Sequence, residues 1–328
     1  MHLSLKLLGK LFATSILVLI GKPVIAANPN GANYDCVSSI TPAALIKAQG
    51  GNWGECDATP DSMSVKFYKL GLCTSKPSYN DYSACTFLFE NDQGKEVTLS
   101  KTFTDELVTG EISIPEGSYK YAMLVIEKTI GIKKSLNFDN AIAAMDGTTG
   151  KYCSTNGNPK IDAPTAHNQS LWSCTNNASS QAVTSSQSFN GFFNDDFDSN
   201  AAIGPNNMPF VVGLYDQVTS AASKFDVILM ASEGTLANVG VALNNYNSPY
   251  ATGNATKIWG AQTFTNPIII DANTSIVDLG FAIDDGMMAG FGGYCANGGK
   301  CIESETSRNL NFRLLLNSDV PSVCMIPL

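Results

Sequence analysis

A period of two in hydrophobicity recurs along this chain and limits it to a fold built mainly from strands. The clearest run is GEISIPEGSYKYAMLVIEKTIGIKKSLNF, residues 110–138, in which Ile112 and Ile114 alternate before the turn PEGS. Four residues form one face of the next strand: Tyr119, Tyr121, Met123 and Val125. Ile130 and Ile132 begin another strand. The pattern predicts a β-meander with one buried face.

Similar short runs, rich in β-branched and aromatic residues and bounded by turn residues, lie on both sides of this segment. They include MSVKFYKLGLC, CTFLFEN and KEVTLSKTF before it, and SKFDVILMAS, KIWGAQTF and SIVDLGFAID after it. About a dozen strands with almost no helix predict an all-β chain. The expected architecture is an antiparallel β-sandwich or jelly roll with long, disulfide-stapled loops.

One short helix is predicted near the N-terminus, in TPAALIKAQGG. Thr41 is a candidate N-cap and Pro42 occupies the first helical position, where a missing N–H does no harm. Gly50 suits the left-handed residue that ends a helix. The helix is therefore expected from Pro42 to Gln49.

The first 27 residues have the organisation of a secretory signal peptide. Lys6 and Lys10 form a positive region, and the apolar run over residues 11–20 is too short to span a bilayer. Small residues offer cleavage after Ala26 or after Ala27. No later stretch has the length and hydrophobicity of a transmembrane helix. We expect a secreted protein, extracellular or periplasmic.

The expected mature chain is acidic. Removing the signal peptide removes three lysines and no acid, which leaves 17 basic and 29 acidic residues and a formal charge of −12. A protein of this charge is repelled by nucleic acid and by anionic lipid, so neither is expected as a partner. Acidic surfaces also serve solubility alone.

All nine cysteines lie in the expected mature chain, and in an oxidising compartment cysteines are read first as disulfides. Short loops close most readily. The expected pairs are Cys36–Cys56, Cys73–Cys85, Cys153–Cys174 and Cys295–Cys301. Cys324 is then left as a free buried thiol, as half of an intermolecular bridge, or as a sign that one pairing is wrong.

The alternating pattern fades between about residues 139 and 207, where Asn, Ser, Thr and Gly dominate. A structureless loop of this length is improbable in a compact domain. We expect a polar insertion stapled by Cys153–Cys174, with Trp172 and the pair Phe192–Phe193 packed against the body. Residues 28–328 then form one large β domain; the alternative is two β lobes, 28–140 and 205–328.

The stretch GMMAGFGGYCANGGKC, residues 286–301, holds six glycines and two cysteines. Cys295 stands where a dinucleotide-binding loop needs its third glycine, and Cys301 stands where a P-loop needs Ser or Thr. The two cysteines are also too far apart for a redox or zinc knuckle. We interpret the segment as a disulfide across a glycine loop at the tip of a hairpin.

Signatures of common hydrolases are missing. His167 is the one histidine of the expected mature chain, and no Gly-x-Ser-x-Gly or His-Glu-x-x-His motif is present. Asp284 and Asp285 follow a strong strand, but a glycosidase needs a defined distance between two carboxyl groups, and sequence does not supply it.

A candidate calcium site lies in FNDDFDSN, where Asp196, Asp198 and Asn200 alternate like the first ligands of a calcium loop. Ala201 replaces the usual glycine and Asn207 replaces the bidentate Glu, so the segment is not an EF-hand. The competing interpretation is a solvated acidic turn.

Two functions remain. The first is an exported, non-enzymatic structural or adhesin-like protein, including a filament subunit that associates with itself. The second is a carbohydrate-binding or carbohydrate-cleaving domain that takes surface glycans on loop aromatics. Six aromatic residues suit such a platform or, alternatively, cap the core: Trp53, Trp172, Trp259, Tyr246, Tyr250 and Tyr294.

Overall fold

The computed structural model describes part of the chain. The described residues are 3–4, 35–48, 53–100, 107, 111–144, 146–157, 172–184, 186–187, 203–204, 208–209, 224–236, 256–274, 277–283, 287–292, 313–316 and 322–327.

Antiparallel β structure dominates these residues, as the period of two predicts. In chain order the strands are β1 (Leu3–Ser4), β2 (Trp53–Ala58), β3 (Ser62–Cys73), β4 (Cys85–Leu99), β5 (Glu111–Ile112), β6 (Gly117–Lys133), β7 (Ser135–Ala143), β8 (Thr149–Thr155), β9 (Trp172–Thr175), β10 (Ser186–Gln187), β11 (Ile203–Gly204), β12 (Met208–Pro209), β13 (Lys224–Ser232), β14 (Thr235–Leu236), β15 (Lys257–Ile270), β16 (Val277–Ala282), β17 (Met287–Gly292), β18 (Arg313–Leu316) and β19 (Ser322–Pro327). One α-helix, α1, spans Pro42–Ala48, and a 3-10 turn spans Ala178–Ser180.

Helix α1 confirms the predicted N-terminal helix and its cap. The backbone N–H of Ala44 donates to Thr41 Oγ1 at 3.3 Å, and the N–H of Leu45 donates to the Thr41 carbonyl at 3.0 Å. Leu45 and Ile46 are buried. The helix lies directly on β2, because a Cβ on Gly54 would be 2.8 Å from the backbone nitrogen of Ile46.

The largest sheet has the order β14-β13-β15-β6-β3-β4, and β10 also pairs with β6. The predicted meander is wrong here, because β6 lies between β3 and β15 rather than between its neighbours in sequence. β6 is also one continuous strand that includes Ile130 and Ile132. Hydrogen bonding to two long neighbours keeps it extended through the residues that the sequence suggested as a break.

The two faces of this sheet differ in composition, and a bulge in β3 changes which residues lie on each face. In a regular strand, residues three positions apart point to opposite faces. Phe67 and Leu70 nevertheless both point into the main hydrophobic core, because the register shifts between Phe67 and Lys69. Tyr68 and Lys69 therefore both lie on the opposite face, which we call the second face. Tyr119 packs in the main core, whereas Tyr121 lies on the second face, so these two residues do not share a face as predicted.

The main hydrophobic core joins the large sheet to several smaller elements. The sheet β18-β17-β2 and the sheet β7-β8-β9 contribute to it, as do β16 and α1. Met287, Ala289 and Phe291 are completely buried in it. The first half of the glycine-rich stretch is therefore a core strand, β17, rather than part of a loop.

The polar middle of the chain contains more regular structure than its composition indicates. Strands β7, β8 and β9 form an antiparallel sheet, and Trp172 at its edge is completely buried in the main core. Packing by Trp172 was expected; strands β8 and β9 were missed, because short polar strands lack the hydrophobic alternation that marks a strand in sequence. Phe192 and Phe193 lie outside the described residues.

Three of the four predicted disulfides are present: Cys36–Cys56, Cys73–Cys85 and Cys153–Cys174. Two of these bridges join directly opposed residues of neighbouring strands. Cys295 and Cys301 lie outside the described residues, so their pairing stays a prediction. Cys324 lies on β19, opposite Gly280 of β16.

Candidate functional site

The second face of the large sheet concentrates charged and aromatic side chains of the described part of the chain. We call this set the lysine–aromatic face. Its members are Lys66, Tyr68, Lys69, Tyr82, Phe87, Glu90, Glu233, Lys257 and Trp259.

Strand register aligns the residues at the centre of this face across four strands. Lys69 of β3 lies opposite Glu90 of β4 and, on its other side, opposite Val125 of β6. Val125 in turn lies opposite Trp259 of β15. Directly opposed residues point to the same side of a sheet, so these four side chains form a row across four strands.

Lys69 is the most highly connected residue of the row. Its ammonium forms ion pairs with Glu90 and, at 2.9 Å, with Glu233. The same group lies 4.9 Å from the centre of the Phe87 ring and 5.9 Å from that of Tyr82. The lysine side chain is only 9% exposed, so these contacts replace most of the water that an ammonium would otherwise hold.

Two groups of the face have pKa values displaced away from neutrality. Burial lowers the pKa of the Lys69 ammonium, but hydrogen bonds and charge from Glu90 and Glu233 outweigh that effect, so the pKa is raised. Burial, and then the charge of Glu233, raise the pKa of the Tyr82 phenol. At neutral pH the lysine is charged and the phenol keeps its proton, so neither is suited to act as a general base.

A second cation–aromatic contact lies beside the first. The Tyr68 ring has the Lys257 ammonium 3.8 Å from its centre and the Lys66 ammonium at 5.5 Å. Gly94 of β4 has a φ of +70° and lies against this pair, because a Cβ there would be 2.7 Å from Lys66 Cε. A side chain at position 94 would displace Lys66 from Tyr68.

Glu233 reaches Lys69 from a distant part of the sheet. It lies between β13 and β14, next to Gly234 with a φ of +68°, and strands β15 and β6 separate β13 from β3. Three strand spacings correspond to about 14 Å. The tip of the β13–β14 hairpin must therefore bend across the second face, and the register shift between Met230 and Ser232 marks the bend.

Trp259 is the buried tryptophan of the lysine–aromatic face. Its side chain is 2% exposed and packs in a small hydrophobic cluster with Met123, Val125, Met230 and Ala261. Among the described residues no acceptor receives the hydrogen bond of its indole Nε1. Buried donors are normally paired, so this indole N–H is an exception that needs an explanation.

Chemically, the lysine–aromatic face is arranged for binding rather than for proton transfer. Glu90 and Glu233 both accept hydrogen bonds from one ammonium, so neither stands free as an acid or a base. The face offers aromatic rings, carboxylate acceptors and ammonium donors side by side. Such a mixture suits contacts with polar, uncharged ligands.

The candidate residues from the sequence are distributed differently. The calcium ligands Asp196, Asp198 and Asn200 lie outside the described residues, as do Asp284, Asp285 and His167. Tyr246, Tyr250 and Tyr294 are outside them too, and Trp53 is described only as part of the backbone of β2. Trp172 and Trp259 are buried, which supports core capping over an exposed platform for these two. No group of three or more potential metal ligands occurs among the described residues.

Sequence reasoning missed the Lys69 network. One local signal was present, since Tyr68-Lys69 interrupts the alternation of β3 between two core residues and thereby indicates a bulge. Nothing in the sequence connects Lys69 with Glu233, because that contact depends on strand order and on the bend of a hairpin.

Within the described part of the chain, no helix has the length and hydrophobicity needed to cross a membrane. Comparison with protein-family models, with curated proteins and with solved structures yields no match to this chain.

Proposed function

We propose that this chain is an exported, non-enzymatic protein that works at the cell surface or outside the cell, as a structural or adhesin-like component or as a filament subunit. The signal peptide predicted for residues 1–27 would direct export, and the three disulfides of the described residues are compatible with an oxidising compartment. The proposal includes a β-sandwich architecture, supported by the hydrophobic cluster that the large sheet shares with β18-β17-β2.

One observation carries the non-enzymatic part of the proposal. The most connected ionisable group of the described residues, Lys69, is fully engaged with two carboxylates and two aromatic rings. Its raised pKa keeps it charged, and the raised pKa of Tyr82 keeps that phenol protonated. Catalytic acids and bases usually have pKa values moved toward the working pH, whereas both of these are moved away from it.

The second candidate is a carbohydrate-binding or carbohydrate-cleaving domain. The specific observation in favour of binding is that Tyr68, Tyr82 and Phe87 share a face with Glu90 and Glu233. Cleavage is less well supported, because both carboxylates are bound to the Lys69 ammonium. Asp284 and Asp285 stay as the sequence-based alternative for that chemistry.

Calcium belongs to the proposal as a structural ligand held by Asp196, Asp198 and Asn200. A metal bound only to the folded state adds stability by mass action, about 2.7 kcal/mol at a hundredfold excess over the dissociation constant. Calcium should then raise the melting temperature of the wild type but not of an Asp196→Asn/Asp198→Asn variant. Equal melting of the wild type with and without calcium would remove the metal site and leave the rest of the proposal standing.

The proposed function is tested by locating the protein and by assaying the purified mature chain on a polysaccharide panel. We expect cleavage after Ala26 or Ala27, recovery outside the cytoplasm and no release of reducing sugar. Release that disappears on Asp284→Asn or Asp285→Asn would overturn the non-enzymatic proposal and make the carbohydrate-cleaving candidate the first.

A further inference from the structure

We infer that the tip of the β13–β14 hairpin is a lid over a site for a neutral sugar residue, with the Trp259 indole as its floor and with Lys69 and Glu90 as its polar groups. The inference rests on the proposed function, because it names the ligand class of an adhesin-like protein. Four features of the lysine–aromatic face carry it.

The first feature is the unpaired indole N–H of Trp259. The side chain is 2% exposed and its Nε1 has no acceptor among the described residues. A buried donor without a partner is unfavourable, so a ligand oxygen that reached it would gain a hydrogen bond with no competing protein acceptor to displace.

The second feature is the way the lid is held. Glu233, at the tip of the hairpin, joins the sheet through its ion pair with Lys69 at 2.9 Å, and the Glu233 side chain is 35% exposed. Because the Lys69 side chain is 9% exposed, leaving this contact breaks a partly buried ion pair, a cost that hydrogen bonds to a ligand have to offset. Opening also releases one of the two carboxylate partners of Lys69, whose ammonium can then donate to a ligand hydroxyl.

The third feature is the mixture of groups around Lys69, the residue that the tip contacts. Aromatic rings present flat apolar surfaces, as Tyr68, Tyr82 and Phe87 do here, and Trp and Tyr add a polar atom to that surface. Glu90 offers acceptors and Lys69 offers donors within the same row of side chains. A pyranose ring has the matching chemistry, with an apolar C–H face and hydroxyls that both donate and accept.

The fourth feature is the local charge, which decides between neutral and anionic sugars. Three lysines of the face, Lys66, Lys69 and Lys257, are surrounded by four glutamates. These are Glu90 and Glu233, in contact with Lys69, and Glu96 and Glu127, opposite Lys66 and Lys257 in register. The face therefore has no excess positive charge, and a sulfated or carboxylated polysaccharide is not attracted to it.

The test measures binding of the mature wild-type protein to laminarin and mannan as neutral probes, with heparin as the anionic probe, by isothermal titration calorimetry. The indole N–H signals are followed by NMR; the chain has three tryptophans, and Trp259→Phe identifies the signal of Trp259. We expect binding of a neutral probe with a shift of the Trp259 signal, and about fivefold weaker binding by Trp259→Phe, the loss of one hydrogen bond.

Glu233→Gln weakens the contact that closes the lid. If only the open state binds, a larger open population lowers the apparent dissociation constant, and we expect tightening of about 3- to 10-fold. Glu116→Gln is the matched control, since Glu116 is an exposed carboxylate outside the face, and it should change nothing. Should Trp259→Phe fail to fold, the Glu233→Gln result decides the inference by itself.

Absence of binding to both neutral probes, or binding to heparin alone, overturns the inference. The inference is also wrong if a neutral probe binds without shifting the Trp259 signal and if Glu233→Gln binds it with the affinity of the wild type. The sugar then binds elsewhere, and the proposed adhesin-like function survives. Reducing-sugar release from a bound probe would instead overturn the proposed non-enzymatic function, whatever the site.

Discussion

Lys69 shows how one residue in an unexpected position organises a surface. A bulge places it next to Tyr68 on the second face, where Glu90 of β4, Glu233 of the β13–β14 turn and two aromatic rings surround its ammonium. Each partner compensates part of the hydration that burial removes. The result is a charged group that is held firmly and that connects β3, β4 and the β13–β14 hairpin.

Alkaline pH should weaken the fold through Lys69 and Tyr82. The pKa of each is raised above its ordinary value of 10.5 or 10.0, so the folded chain holds both protons more tightly than the unfolded chain does. Their contribution is complete below about pH 10 and is lost as the pH rises through the folded pKa values. We expect the free energy of unfolding, measured in urea, to fall from pH 10 upward.

Tyr82→Phe should make the free energy of unfolding fall less steeply with rising pH, because one of the two tightly held protons is removed. Tyr79→Phe is the control, since it removes another phenol from the same loop. An identical slope for wild type and Tyr82→Phe between pH 10 and pH 12 would contradict the assignment.

Gly150 is required by a close backbone contact. A Cβ at this position would lie 2.0 Å from the carbonyl carbon of Thr175 on β9, a distance that no side chain tolerates. We expect Gly150→Ala to lower the free energy of unfolding by about 2–3 kcal/mol, as overpacking does elsewhere.

Gly117→Ala is the comparison, because its nearest contact would be Tyr119 Cε2 at 3.6 Å, an ordinary van der Waals distance. It should change stability by no more than about 0.5 kcal/mol. Equal effects of the two substitutions in urea titrations would show that β9 does not approach β8 as closely as described.

At the scale of elements, Asp61 connects the start of β3 with the start of β7. Its Oδ2 accepts hydrogen bonds from the Ser135 N–H and hydroxyl at 2.8 Å each, and its Oδ1 lies 3.2 Å from the Lys134 ammonium. These bonds fix the point at which the chain leaves the large sheet for the sheet β7-β8-β9.

Asp61→Ala should therefore destabilise the fold by about 1 kcal/mol, most of it from the hydrogen bonds to Ser135, because the partly exposed ion pair contributes little. Thermal melts monitored by circular dichroism measure the loss. Asp139→Ala is the control: it removes an exposed carboxylate that lies on β7, and it should leave the melting temperature nearly unchanged. Similar losses for both would mean that charge, and not the connection to Ser135, is responsible.

At the scale of the whole molecule, the three disulfides found among the described residues add stability to the fold. The bridges close loops of 20, 12 and 21 residues. Constraining the unfolded chain over such loops stabilises the fold by about 3 kcal/mol per bridge.

Removing one bridge should be clearly measurable. Cys73→Ala/Cys85→Ala is expected to lose about 3 kcal/mol in urea under oxidising conditions. After full reduction the difference between the variant and the wild type should nearly vanish, because both then lack this bridge. A variant as stable as the wild type under oxidising conditions would show that the bridge adds nothing. Peptide mapping of the same samples tests the remaining predicted pair, Cys295–Cys301.

Local features were predictable from the sequence alone. The period of two identified the β class, the Thr41-Pro42 cap identified α1, and short separation identified three disulfides, because each depends on residues close together in sequence. Leu279 and Ile283, which stand in phase in the alternating run SIVDLGFAID, are both buried. Such signals survive in sequence because backbone geometry repeats at a fixed period.

Strand order and the lysine–aromatic face were decided only by the tertiary structure. Nothing local places β6 between β3 and β15, identifies β8 and β9 in a polar segment, or brings Glu233 to Lys69. Those arrangements follow from hydrogen bonding and packing between segments far apart in the chain, whose free energies compete over the whole molecule. The sequence therefore determined what kind of elements form and which neighbouring cysteines pair, and long-range packing determined which surfaces meet.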